Sequence, residues 1–468
     1  MNDNRDATIN LPLIAAIVGV ATIGGFMFGY DSGVVNGTQD GLRTTFGLSE
    51  AWLGVTVSAL LPGCALGAFL AGRSADLWGR RRVMVAAAVL FIVSALAAGA
   101  ADSALMMVLA RFAAGVGVGA ASVLSPAYIS EVTPASMRGR LSSVQQVMII
   151  AGLTGAFLAN YFLAYRAGKS TDVLWWGYPA WRWMFWMQII PASVFFVTLL
   201  FIPESPRYLV ARGRDEEARA VLTRLFGAAT ALAKAAEIRG SLAADHTPRL
   251  SDLIDKKTRR LRPIVWVGVG LATFQQLVGI NVVFYYGAVL WQAVGFSEAD
   301  SLKINILSGT LSIAACLLAI GLIDRIGRKP LLLIGSLGMA VTLGALAVAF
   351  ASGDLSNGTL HLAPKVGMAA LVSANLYVVF FNLSWGPVMW VMLGEMFPNQ
   401  IRGSGLAVSG AAQWSANFLI SMSFPALAKF VGLPITYGFY TACACLSIFF
   451  VSAMVHETRG RELEEMVG

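Results

Sequence analysis

The chain reads as an all-α polytopic membrane protein: twelve transmembrane helices in two pseudo-symmetric six-helix halves, joined by a cytoplasmic helical linker. Three observations carry that expectation. Of 468 residues, 57% are hydrophobic and only 13% charged, whereas soluble domains carry about a quarter charged. Twelve apolar stretches offer the roughly 20 residues that a span requires, centred near Ile23, Leu61, Phe91, Val116, Gly152, Val194, Gln275, Ala315, Gly344, Phe380, Ser415 and Cys445. A set of charged patterns also occurs twice in the same order, which marks a duplicated membrane unit.

The first pattern is Asp76-Leu-Trp-Gly79-Arg80-Arg81-Arg82, echoed by Asp324-Arg-Ile-Gly327-Arg328-Lys329. Behind it, Glu131 with Arg138-Gly139 answers to Glu395 with Arg402-Gly403, and Glu204-Ser-Pro-Arg207 answers to Glu457-Thr-Arg459-Gly460. A tight turn needs the glycine, and a guanidinium cluster near lipid headgroups needs carboxylate partners, which it can bridge bidentately. Glu131 and Glu204 are the candidates for Asp76–Arg80 in the first half, Glu395 and Glu457 for Asp324–Arg328 in the second. Such pairs would latch the halves when a cavity opens outward and break when it opens inward. A static role in fixing topology is the competing reading.

These landmarks divide the chain into a first half at 1–203, a linker at 204–262, a second half at 263–456 and a short cytoplasmic tail at 457–468. The linker is polar and helix-prone, with Asp215-Glu-Glu-Ala-Arg-Ala-Val-Leu-Thr-Arg-Leu-Phe226 followed by an Ala-rich run and the basic Lys256-Lys257-Thr-Arg259-Arg260. Two to four short helices are expected there; the basic residues could touch anionic lipid. With the N-terminus inside, 26 of the 34 Lys and Arg residues fall on the cytoplasmic side and seven outside. That asymmetry puts both termini in the cytoplasm. It also accounts for the net charge of +8 without nucleic acid. The four cysteines (Cys64, Cys316, Cys443, Cys445) lie in apolar spans and read as small buried hydrophobes, with no disulfide or metal site. The start, Met1-Asn-Asp-Asn-Arg-Asp, lacks a basic signal region, so the first apolar stretch is expected to be a retained span.

Two charges fall well inside spans, Asp31 in the first and Arg111 in the fourth. Intramembrane charges are costly and line cavities or pair with one another. If they pair, protonating Asp31 releases Arg111, a workable proton switch; the bland alternative is a permanently ionised pair fixing two helices. Neutral hydrogen-bonding groups cluster at membrane depth as well: Gln146, Gln275, Gln276, Asn281, Tyr285, Trp390, Gln413, Trp414 and Asn417. Amides donate and accept at once, and tryptophan stacks while its indole N–H donates. That is the chemistry a monosaccharide asks for, with hydroxyls, an apolar C–H face and no charge. A single amide could instead be helix–helix glue. Gln276 and Asn281 are five residues apart, so they share no face of a regular helix unless Gly279 relaxes it.

The chain resembles the sugar porters of the major facilitator superfamily over essentially its whole length. The matching motifs are Gly25-Phe-Met-Phe28-Gly29-Tyr30-Asp31, Arg80-Arg-Arg82, Arg111-x-x-x-Gly115-x-Gly117-x-Gly119, Pro126-x-Tyr128-x-x-Glu131, Pro203-Glu-Ser-Pro-Arg207, Gln275-Gln276-x-x-Gly279-Ile-Asn281, Gly327-Arg-Lys329, Gly386-Pro387-x-x-Trp390 and Gln413-Trp414. The resemblance implies two inverted three-helix repeats in each half. It implies sugar contacts at Gln146, Gln275, Gln276, Asn281 and Trp390 with Gln413 and Trp414 close by, and Phe28 and Tyr285 helping to occlude the site. In proton-coupled members the acid matching Asp31 is the protonation site, whereas mammalian facilitative glucose transporters carry asparagine there. Three departures stand out: Leu153 where the bacterial xylose–proton symporter has a glutamine, Ser312 where many members carry asparagine, and His456 where proline usually opens the last motif.

The expectation is a proton-coupled monosaccharide importer, with hexose such as glucose favoured over pentose, working as a monomer by alternating access in a cytoplasmic (inner) membrane. Its partners are then sugar, protons and membrane lipid. An uncoupled facilitator is the alternative. A membrane sugar sensor would need a long cytoplasmic extension that the sequence lacks. An intramembrane enzyme finds no metal-ligand cluster, nucleophile elbow or phosphate loop, the three histidines (His246, His361, His456) being scattered. No cofactor or metal is expected.

Overall fold

The structure is a computed structural model that describes the chain except residues 1–8, 135–136, 245–249, 255–258, 357–358, 399–400 and 460–468. The first half comprises α1 (Leu11–Phe46), α2 (Glu50–Ser58), α3 (Leu60–Trp78), α4 (Arg80–Ala100), α5 (Ala104–Val132), α6 (Arg138–Ala167), α7 (Ala180–Met187) and α8 (Ile189–Leu199). Helix starts follow local chemistry: Asn10, Ser49 and Ser103 each accept a hydrogen bond from the backbone N–H three residues on. Three linker helices follow, α9 (Pro206–Ala211), α10 (Asp215–Phe226) and α11 (Ala228–Ala244). The second half comprises α12 (Pro263–Leu277), α13 (Ile280–Ala293), α14 (Glu298–Ile326), α15 (Arg328–Ala351), α16 (Pro364–Leu383), α17 (Trp385–Met396), α18 (Arg402–Phe430) and α19 (Leu433–Met454).

Among the described residues, eleven helical stretches are long and apolar enough to cross a membrane. The twelfth span is α18, whose 29 residues have the length but not the hydropathy. Its buried face carries Ser404, Ser409, Gln413, Asn417 and Ser421 and turns toward protein rather than lipid. Four spans consist of two helices end to end: α2–α3, α7–α8, α12–α13 and α16–α17. Of these breaks, only Gly279 is singled out from sequence; the other three each stand three residues before a proline, Pro62, Pro191 and Pro387. Two short antiparallel hairpins, β1 (Val173–Trp175) with β2 (Tyr178–Pro179) and β3 (Asp354–Ser356) with β4 (Thr359–His361), add strands that an all-α reading omits.

Within the first half, α1 lies directly on α6. A Cβ at Gly29 would collide with the Ile149 carbonyl, and one at Gly152 with that of Phe26. In a bilayer, where apolar burial between helices gains little over lipid, such close van der Waals contact is a main source of association. The halves meet along α1–α13, α6–α14 and α2–α18. The linker helices fold under the first half: the Arg212 guanidinium caps the carbonyls of Asp76 and Leu77, and Asn10 N–H donates to Leu225 O of α10. The end of the bundle carrying the linker is called the linker end below, and the opposite one the far end.

Gly29→Ala should therefore destabilise the protein by about 1–3 kcal/mol, as overpacked cores do. Gly72→Ala, with nothing within 4 Å of its Cβ, should change stability by less than about 0.5 kcal/mol. Thermal unfolding of the two purified variants in detergent, followed by size-exclusion chromatography, checks the contrast.

Candidate functional site

Asp31 and Arg111, each only 2% exposed, meet between α1 and α5. Arg111 Nη1 donates to Asp31 Oδ1 at 3.0 Å and to the Asp31 carbonyl at 3.0 Å. The second carboxylate oxygen, Oδ2, accepts from Gln188 Nε2. Gln188 sits where α7 gives way to α8 and is not among the residues singled out from sequence. An amide amid the apolar sixth span, three residues before Pro191, is the signal that could have found it. Ala95, Ala98, Ala110, Ala114 and Phe185 close around the three groups. A buried ion pair is stable only while each charge keeps its partners, and here Arg111 is held both by the Asp31 carboxylate and by its main-chain carbonyl.

A second polar cluster forms in the other half. Gly279, with φ +80°, ends α12 and starts α13. The break swings Asn281 back so that its Nδ2 donates to Gln276 Oε1. The two amides that a regular helix would hold apart are thus in contact. A Cβ at Gly279 would meet the Tyr440 ring at 2.7 Å. Gln276 Nε2 donates to Gln275 Oε1 (3.1 Å), Gln413 Nε2 reaches the same oxygen (3.4 Å), and Gln275 Nε2 donates to Trp385 O (3.0 Å). Tyr285 lies beside Ser32 and Asn417. Phe28 of the first half faces Trp414 of the second, ring centroids 5.8 Å apart.

Among the described residues, Gln146, half-buried on α6, and Trp390, 40% exposed, find no hydrogen-bond partner for their side chains in this state. Leu153 is buried against Gly29 and Gly33 of α1. The short reach of Ser312 is met by Asn382, whose Nδ2 donates to its hydroxyl at 3.2 Å.

The duplicated charges build two matching networks at the linker end. Arg80 pairs with Asp76 (3.0 Å) and Glu131 (3.2 Å) and donates to Ala75 O. Arg328 pairs with Asp324 (3.0 Å), grips Glu395 bidentately (3.0 and 2.8 Å) and donates to Ile323 O. Ser205 and Thr458 donate to the two glutamates. Glu204 accepts from Arg81 N–H at the start of α4; Glu457 accepts from Arg328 and Lys329 N–H at the start of α15, where the helix dipole favours a carboxylate. Arg207 stands close to Glu131, and Arg402 reaches Phe397 O (3.4 Å). The Arg138 side chain lies outside the described residues. The Arg80 network joins groups around the first half and the Arg328 network groups around the second. At the far end, by contrast, Ser170 N–H donates to Glu298 (2.9 Å) and Lys429 approaches Glu50 (3.8 Å) across the seam.

Two pseudo-symmetric six-helix halves, sealed together at one end and holding a buried acid–arginine pair beside a neutral polar cluster, define a membrane carrier. A family model described as "Sugar (and other) transporter" matches residues 17–467. The chain is 48% identical over 461 residues to a glucose transport protein of Synechocystis sp., covering 98% of both chains. It is 38% identical over 494 aligned positions to the D-xylose-proton symporter of Escherichia coli, covering 98% of this chain and 96% of that one. Among solved structures, the inward-open conformation of the Escherichia coli xylose transporter XylE superposes with a TM-score of 0.83 at 37% identity, over 97% of this chain and 99% of that one. The proton:xylose symporter XylE bound to 6-bromo-6-deoxy-D-glucose gives 0.78, over 98% and 99%. The chain belongs to the sugar porter family of the major facilitator superfamily.

Partial burial pushes the Glu457 carboxyl up, but the N–H groups of Arg459, Arg328, Lys329 and Thr458 outweigh it and hold the group below the usual range. Its ionised form therefore contributes stability at neutral pH, lost as pH falls below about 4.3 and through the lower folded-state value. Glu457→Gln should cost about 0.5 kcal/mol at pH 7, allowing for solvent screening. Melting curves of parent and variant should converge as the pH is lowered through that range.

Proposed function

We propose that this protein imports a monosaccharide together with a proton by alternating access, with hexose such as glucose the favoured substrate. The observation that supports coupling is the buried Asp31 carboxylate, shared between Arg111 and Gln188. One proton there breaks a charge balance that holds α1 to α5 and α8. The sugar reading rests on Gln275, Gln276, Asn281 and Gln413, a neutral set of amides gathered by the helix break at Gly279, with Gln146, Trp390, Trp414, Phe28 and Tyr285 as the further contacts that the family resemblance implies. The resemblance to a glucose transport protein and to xylose–proton symporters supports the same substrate class.

The protein is a carrier rather than a catalyst and works as a monomer in a cytoplasmic membrane, with lipid around it. Linker and termini lie on the cytoplasmic side, where 26 of the 34 basic residues fall. With that orientation the sealed far end faces outward and the conformation is inward-facing, in accord with its likeness to inward-open XylE. The Arg80 and Arg328 networks are intact in this inward-facing conformation, against the expectation that these pairs break when the cavity opens inward. Their role is the static one, fixing the helix ends of each half.

Uptake of glucose and xylose into proteoliposomes, with and without an inward proton gradient, tests the proposal. Accumulation above equilibrium that requires the gradient is expected; uptake that only equilibrates would make the protein a facilitator. Asp31→Asn should abolish accumulation while sparing sugar exchange. Gln276→Ala and Asn281→Ala should each weaken sugar binding by about 1–3 kcal/mol, as unpaired buried polar groups do, measured by equilibrium binding to the purified variants.

A further inference from the structure

The far end is closed by an unusual contact. In an α-helix the C=O of residue 284 and the N–H of residue 288 are each other's natural partners. In α13 one side chain from the opposite half engages both: Asn36 Nδ2 donates to Phe284 O at 2.7 Å, and Asn36 Oδ1 accepts from Ala288 N–H at 3.1 Å. The same oxygen accepts from Asn305 Nδ2 of α14 at 2.8 Å. One turn further along α1, Gln39 Nε2 donates to Tyr285 O, and Asp40 Oδ2 accepts from Gln292 Nε2 at 3.0 Å. Asn36 and Gln39 are each 1% exposed. Gly287 makes room for the contact: a Cβ there would collide with Asn305 Oδ1 and come within 3.2 Å of Asn36 Nδ2.

We propose that Asn36 and Gln39 are positioning residues that clasp the main chain of α13, hold Tyr285 against Ser32 and Asn417, and set how readily the far end opens. Their bearing on sugar transport rests on the function proposed above. The clasp suits a seal that must be tight yet reversible. When the halves part, Phe284 O and Ala288 N–H retain each other as helical partners, so no main-chain group is orphaned in the bilayer. The carboxamides of Asn36, Gln39 and Asn305 are hydrated by water entering the cleft, so opening exchanges hydrogen bonds instead of forfeiting them. Tyr285 moves with the turn that the clasp releases, which ties its place at the polar cluster to closure of the far end.

The test is a distance measurement across the far end. Spin labels are placed at Arg166→Cys and Lys365→Cys, both exposed, in a Cys445→Ser background; Cys64, Cys316 and Cys443 are buried. Pulsed electron resonance is recorded in sugar-free proteoliposomes for the parent, Asn36→Ala, Asn36→Asp and Gly287→Ala. Asn36→Ala should raise the open-to-closed ratio about tenfold, the worth of one or two hydrogen bonds. Asn36→Asp, which keeps the oxygen facing Ala288 and Asn305, should raise it less. Gly287→Ala removes no polar group, yet should move the distances the same way. In uptake assays Asn36→Ala should lower KM from the far side, because the open state is no longer rare, and lower kcat. Folded Asn36→Ala and Gly287→Ala proteins with the parent's distance distribution would overturn the clasp. If Gly287→Ala does not fold, the order of Asn36→Ala over Asn36→Asp decides, and equal, unmoved distributions refute the proposal. Because no sugar is present, a distance shift in a protein that carries no sugar would refute the transport reading and keep the clasp.

Discussion

A bilayer offers no water to a free N–H or C=O, and the rest of this structure is arranged around that constraint. Transport requires helices that bend and part, and each bend exposes main-chain groups that a straight helix would satisfy. The chain answers with side chains from neighbouring helices. Tyr377 donates to Val278 O beside the Gly279 break, and Gln275 donates to Trp385 O just past the break at Ser384. Pro425 has no N–H to give the carbonyl of Ser421, and the Tyr286 hydroxyl donates to it instead. Asn36 and Gln39 serve α13 from the opposite half. Gln275 shows how one amide serves both needs of the core, its Nε2 bound to the Trp385 carbonyl and its Oε1 accepting from Gln276 and Gln413.

The two halves share an architecture and divide the chemistry. The charge networks match point for point, Arg80 with Arg328, Glu131 with Glu395, Ser205 with Thr458, and Glu204 with Glu457 at corresponding helix starts. At membrane depth the symmetry lapses. The first half holds the ionised pair, Asp31 with Arg111, and the second holds the linked neutral amides Gln275, Gln276, Asn281 and Gln413. That division places the charged pair in one rigid body and the uncharged cluster in the other, with α1 and α13 as the contact between them. Tyr285, beside Ser32 on one side and Asn417 on the other, lies on that contact.

Much of this was legible in the residues. Apolar runs near 20 residues long have one stable outcome in lipid, so the helices and their number follow directly. Asp31 and Arg111 stood out in the sequence as charges that must either line a cavity or pair, and helix packing made them partners. Gln188 stands out as an amide in the apolar sixth span, but nothing in that span's composition tells which way it points, so its place as their third member was decided by packing. The breaks at Gln188 and Ser384 carry no glycine, but each stands three residues before a proline, Pro191 and Pro387, whose missing N–H interrupts the helical ladder. α18 shows the reverse case: its composition falls short of a lipid-facing span because its polar residues line protein contacts.

By itself, then, the sequence determined the class of architecture, the duplication, the charged turns and the residue types available at membrane depth, all properties of local pattern and composition. Tertiary structure alone decided which of those groups meet. It set Asn281 on Gln276 through a left-handed glycine, kept the Arg80 and Arg328 networks apart, one in each half, and placed Asn36 across the seam on the backbone of α13. The physical reason is that hydrogen-bond partners in a bundle are chosen by helix packing and by where a helix breaks, and neither is written in the order of residues along one helix.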